Sequence, residues 1–264
     1  MHLIPLLLIL HLLPCNLLAA NLAQEQRLSE ALLGQELQGD AQWLTTEDVR
    51  FLAILEKSHA NERLGGAILL HDVGDHADGA GVIGPLRRYL ALRGWHTLSL
   101  QLPRPSHPLT QAGRAEATEL ALARLQAAVE FFNTHNTAPL VLVGHGLGAE
   151  MALAYLAADP ENDALALVAI GLAANEGSDA DPVIQTITRL QRPMLDIFGD
   201  RDHPEVLASA QARLGAAKRN QREDYRQDRV MGADHHFNGL QTSLQQRVAS
   251  WLRRVAKNKK NNPR

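Results

Sequence analysis

Two short segments in the last third of the chain offer an acid and a base. Phe198-Gly199-Asp200-Arg201-Asp202 closes an apolar run with a G-x-x-D loop, and Gly232-Ala233-Asp234-His235-His236-Phe237 opens the final helical stretch. Asp202 as acid and His235 as base would suit nucleophilic hydrolysis, which needs a nucleophile, a base within reach of it and a buried acid fixing the base's tautomer. The nucleophile should precede both along the chain. There, Pro139-Leu140-Val141-Leu142-Val143-Gly144-His145-Gly146-Leu147-Gly148-Ala149-Glu150 runs from a β-branched apolar segment through a glycine-punctuated turn into an alanine-rich helix. This is the strand-turn-helix layout of a nucleophile elbow, G-x-S-x-G, with Gly146 where the serine is expected. Removing a triad nucleophile costs on the order of a million-fold in kcat.

The residues around this turn are candidates for binding: His71, Val73, His145 and Leu147 on the ligand or oxyanion side, with Gly146, Leu147, Val73 and His235 bordering a pocket. Gly146 also has a structural rationale, because the elbow residue occupies a strained backbone conformation that glycine relieves. His145 reads as a packed side chain, and Glu150 as a helix-start charge or a solvent-facing residue. His71, Asp72, Asp75, His76, His145, Asp202 and His235 could converge on one mouth, a set chemically suited to zinc. No pair has the ligand spacing of H-E-x-x-H, and twelve histidines make chance clustering easy, so the sequence assigns neither metal nor cofactor.

The elements that must position these groups alternate. Apolar runs at residues 49–56, 66–71, 95–102, 139–145, 164–170 and 193–198 read as strands, with a polar edge strand near 224–231. Helices are expected at about 82–93 and 113–133, after the elbow, and at the C-terminus, where Leu240, Leu244, Val248, Trp251, Leu252 and Val255 share a face. Strands alternating with helices imply βαβ units and a doubly wound, mostly parallel α/β sheet. Residues 49–255 form this domain. Residues 21–48 read as a polar segment with a short surface helix, 173–192 as a variable cap or connection, and 256–264 as a basic, solvated tail.

At 264 residues and 45% hydrophobic content the chain suits one sizeable core. A net charge of -3 with no basic stripe excludes nucleic acid as an expected partner. Leu3 to Leu13 is long enough for a signal-peptide core and too short to span a bilayer, so residues 1–20 read as an export signal. The mature protein is then expected in the periplasm or secreted, without a transmembrane helix. The single cysteine, Cys15, raises lipidation, and Pro14 argues against it. Nothing in the sequence fixes the oligomeric state.

From about Val49 to Val255 the chain resembles an α/β-hydrolase. Through Leu69-Leu70-His71-Asp72-Val73-Gly74, the stretch from Gly94 to Pro103, and Gly232-Ala233-Asp234-His235-His236-Phe237, it is similar to an uncharacterised family of exported, hydrolase-like proteins of Gram-negative bacteria. The resemblance implies a site at the carboxyl ends of the strands. It also implies an oxyanion-hole loop that usually reads His-Gly and here reads His71-Asp72. A carboxylate there would repel a developing oxyanion unless it points away, so Asp72 is expected to act as a turn residue. Three readings follow. The first is a serine-less protein that binds a small molecule or acyl ligand. The second is an esterase-like hydrolase using His235 and Asp202 with water or a metal, and the third a cell-envelope structural or assembly protein.

Overall fold

The computed structural model describes residues 13–105, 107, 110–162, 164–175, 180–219 and 224–261. Its centre is one eight-stranded sheet: β1 (Asp40–Thr45), β2 (Arg50–Glu56), β3 (Gly65–Leu70), β4 (Trp95–Leu100), β5 (Leu140–His145), β6 (Ala164–Ile170), β7 (Met194–Arg201) and β8 (Tyr225–Asp234), in the order β1-β2-β4-β3-β5-β6-β7-β8. β1 pairs antiparallel with β2, and β2 with β4, while every other pairing is parallel. The expected doubly wound, mostly parallel sheet is therefore present.

The central strands are apolar on both faces because both faces are covered. Ile68 and Leu70 of β3 and Leu140 and Leu142 of β5 join a core with α3 (Gln111–Thr134), α4 (Leu147–Ala158) and α5 (Pro182–Arg189). Their alternates Ala67, Leu69, Val141 and Val143 face the opposite core, built with α2 (Ile83–Ala91) and α7 (Gln241–Asn261). The remaining helices are α1 (Leu13–Leu33) and α6 (Pro204–Arg219). Asp196 of β7 and Arg213 of α6 form a fully buried ion pair at 2.8 Å, which the Tyr225 hydroxyl and Gln227 amide complete from β8.

Residues 21–48 depart from the expectation of a polar helical segment. They contain an added edge strand, β1, and the end of a helix that docks: Glu25 is buried and accepts from Arg124 Nη2 of α3 at 3.0 Å. The expected leader lies mostly in residues 1–12, outside the described residues. At the other end α7 carries on to Asn261, so the stretch from residue 256 continues the helix instead of leaving it as a tail. In the 173–192 connection the described part contains α5, capped by Asp181.

Candidate functional site

Four strand ends meet at the carboxyl edge of the sheet: the loop after β3, the β5–α4 turn, the loop after β7 and the loop after β8. The turn is unusually close-packed. A Cβ on Gly148 would lie 2.5 Å from the Leu70 and His71 carbonyl oxygens, so only glycine lets α4 start this near to β3. Gly146 itself has φ 52° and ψ -118°, the left-handed elbow conformation that glycine adopts without steric cost.

Asp72 does not point away. Its side chain is turned onto the elbow, and a Cβ built on Gly146 would sit 2.0 Å from Asp72 Oδ1 and 2.2 Å from its Cγ. The carboxylate thus fills the volume that any side chain at position 146 would need. The Leu147 N–H donates to Asp72 Oδ1 at 2.7 Å. In an elbow, the N–H of the residue after the nucleophile is an oxyanion-hole donor, so here that donor is already satisfied by an internal anion. His235 Nε2–H donates to Asp72 Oδ2 at 3.0 Å, and His235 Nδ1–H to Asp202 Oδ1 at 2.6 Å. Asp72 does open the expected turn, its carbonyl accepting from the Asp75 N–H at 3.2 Å, and the correction concerns its side chain, which is the centre of the constellation.

Asp202 is held in turn by the Gly199 and His203 N–H groups, at 3.1 and 2.8 Å. Gly171, just after β6, leaves room for the imidazole: a Cβ there would lie 2.8 Å from His235 Cε1.

Electrostatics follow from this geometry. Burial would lower the His235 pKa, but hydrogen bonds to Asp202 and Asp72, with their charges, outweigh it and raise it to about 9. Burial would raise Asp72, yet the His235 hydrogen bond, the nearby histidines and the Leu147 N–H hold its carboxyl far below the usual range. Asp202 is likewise depressed, its burial overcome mainly by His235. At neutral pH the group is an imidazolium clamped between two carboxylates.

The other sequence candidates divide. His145 is fully buried. Its Nε2–H donates to the His235 carbonyl at 2.9 Å and its Nδ1 has no partner, while burial lowers its pKa to about 4. His71 is fixed on both nitrogens, Nδ1–H donating to the Asp72 carbonyl at 2.7 Å and Nε2 accepting from the Leu102 N–H at 3.0 Å. Burial keeps it neutral, with a pKa of about 4, so it ties the β3 loop to the end of β4 with no nitrogen free for a ligand. Val73 and Leu147 border a cleft of about 80 Å³, together with Asp72, Leu102, Arg104 and Met151. Gly146 and His235, expected on the pocket wall, are not part of it. Glu150 lies in the first turn of α4, as the helix-start reading expects, and is half-buried there, paired with Arg114 of α3 and not facing solvent. Asp72 is the residue that sequence reasoning misplaced. The available signal was the pairing of two departures, an Asp where a small residue is usual and a Gly where Ser is usual, which compensate in volume.

No curated protein matches the sequence. Solved structures do. A lidless serine hydrolase from Xanthomonas campestris, XC6422, is 18% identical with TM-score 0.64, covering 83% of this chain and 96% of its own. Est1E from Butyrivibrio proteoclasticus is 15% identical with TM-score 0.64, over 83% and 99%. A dienelactone hydrolase from Anabaena variabilis is 19% identical with TM-score 0.64, over 83% and 99%. At these identities the likeness establishes the α/β-hydrolase fold. On that fold, with its profile matching residues 16–123 and 108–254, the chain belongs to the family described as protein of unknown function (DUF3530).

Proposed function

We propose that this is an exported, non-catalytic member of the hydrolase fold that binds a small molecule or acyl group in the cleft beside the elbow. One observation carries the reading: the Asp72 carboxylate occupies the nucleophile's space, the Leu147 N–H and His235 Nε2 together. Each is a component that acyl transfer requires free, namely a nucleophile's volume, an oxyanion donor and a base nitrogen. The same geometry argues against direct activation of water by His235, because the nitrogen that would do so is hydrogen-bonded to a carboxylate. Binding is supported by the mixed cleft wall, where Val73, Leu102, Leu147 and Met151 are apolar and Arg104 offers a cation. A cleft of about 80 Å³ suits a short or narrow group. Export rests on the leucine-rich leader; no helix among the described residues is long and apolar enough to cross a membrane.

The test is a fluorophosphonate probe with a panel of chromogenic acyl esters, applied to the native protein. Neither labelling nor turnover is expected. Labelling of native protein, or ester turnover abolished by His235→Ala, would overturn the reading.

A further inference from the structure

Among the described residues, the buried Nδ1 of His145 has no hydrogen-bond partner, and the ion-pair description leaves it unexplained. A nitrogen lone pair sealed from water without a donor is costly, and its retention calls for a ligand. One ligand atom each from Asp72, His145 and His235 lie within 4.8 Å of one another, all three residues buried. They come from three strand ends, after β3, at the end of β5 and after β8, so their meeting is a product of the fold and not of local sequence.

We propose that Asp72, His145 and His235 form a zinc site. Two imidazoles and a carboxylate are a suitable zinc set and leave one coordination position for water or a ligand group. The surroundings are those a metal-binding imidazole requires, since a ligating histidine donates its other N–H to a carboxylate or backbone carbonyl that fixes the ring. His235 does so from Nδ1 to Asp202 at 2.6 Å, and His145 from Nε2 to the His235 carbonyl at 2.9 Å. Each ring is thereby fixed through one nitrogen, which leaves Nε2 of His235 on Asp72 and Nδ1 of His145 without a hydrogen-bond partner among the described residues. The Asp72 Oδ2 to His235 Nε2 separation of 3.0 Å is close to the edge between two ligands of a tetrahedral ion. Zinc would take the place of the proton these two groups share, and Asp72 would keep its Leu147 N–H through Oδ1. Inward shifts of up to about 1.5 Å from the 4.8 Å spread would complete the site.

This goes beyond the binding reading and does not depend on the cleft being filled. The experiment uses tag-free protein stripped with EDTA and titrated with zinc against a chromophoric chelator, and in parallel with Co2+, read by its visible d–d absorption. One equivalent per chain is expected, with a tetrahedral cobalt spectrum. Asp72→Asn and His145→Ala should each weaken zinc at least tenfold, Asp202→Asn by roughly 10- to 100-fold because it orients the His235 ring, and His135→Ala, at the exposed end of α3, not at all. Because a buried variant can misfold, circular dichroism accompanies each, and the cobalt spectrum of the native protein stands independently. Absence of stoichiometric zinc, an octahedral cobalt spectrum, or equal affinity in native protein and well-folded Asp72→Asn would overturn the proposal. The last result would mean zinc on surface histidines.

Discussion

Restoring a serine to the elbow should not restore a hydrolase. In Gly146→Ser the new Cβ would lie 2.0 Å from Asp72 Oδ1, far inside van der Waals contact, and the obstacle is a carboxylate fixed at both oxygens, by the Leu147 N–H and by His235. To admit the serine, Asp72 must give up both bonds. Hydrogen bonds to charged groups are worth about 1.5–3 kcal/mol each, and a non-glycine residue at φ 52° adds roughly 1–3 kcal/mol of strain. Relaxation recovers part of this, so Gly146→Ser is expected to destabilise by roughly 3–5 kcal/mol. For a chain this size that lowers Tm by about 10 °C. Asp72→Gly removes the obstacle and frees the Leu147 N–H, so the double variant Asp72→Gly/Gly146→Ser should be more stable than Gly146→Ser alone. A double-mutant cycle by urea denaturation measures this coupling, expected at roughly 2–3 kcal/mol for groups in direct contact. Fluorophosphonate labelling should appear in the double variant and be absent or slow in the single one. If Gly146→Ser is as stable as the native protein and labels as fast as the double variant, Asp72 does not plug the site.

Stability should peak near neutral pH, measured as the urea midpoint in EDTA. His71 and His145 fall from an ordinary 6.5 to about 4 on folding, so the unfolded chain binds more protons between those values and stability drops as pH falls, by roughly 3 kcal/mol at most for each. His235 rises to about 9, so its contribution is full below 6.5 and is lost as pH climbs through 9. A midpoint unchanged from pH 6.5 to 9.5 would contradict the clamped imidazolium. Away from the site, Asp196→Ala should cost about 3–5 kcal/mol in thermal or urea unfolding, because it strands the Arg213 guanidinium in a fully buried position. Asp196→Asn, which keeps the shape and one hydrogen-bond acceptor, should cost less; equal losses would mean that the lost charge, which both variants share, accounts for the whole cost.

What could be read from the sequence was whatever local pattern determines. β3, β5 and β6 announce themselves because strands covered on both faces are continuous apolar runs, and the elbow because its glycines serve contacts only glycine permits. β1 was missed since its strand face is half exposed: Asp40, Ala41 and Thr45 face solvent, and only Leu44 is buried, leaving no apolar run to detect. Glu25 falls in the segment read as a surface helix, and its burial is not legible there because its partner, Arg124, is 99 residues away. Asp72 illustrates the same limit at the site. Its neighbours in sequence support a turn, whereas its orientation is set by Leu147 and His235, 75 and 163 residues downstream. Residue types were legible, then, and the direction in which a short side chain points was not.

The Glu25–Arg124 clasp also joins parts of the chain that are far apart in sequence. Arg124, almost fully buried, donates both to Glu25 and to the Gln101 carbonyl at the end of β4, so it holds the first helix, the third and the sheet together at one point. A chain that is delivered from its N-terminus presents Glu25 first and Arg124 a hundred residues later, and the long loop between them must close before the contact forms. The contact that anchors the first helix is therefore a long-range one, with a greater loop-closure cost than the β1–β2 hairpin beside it.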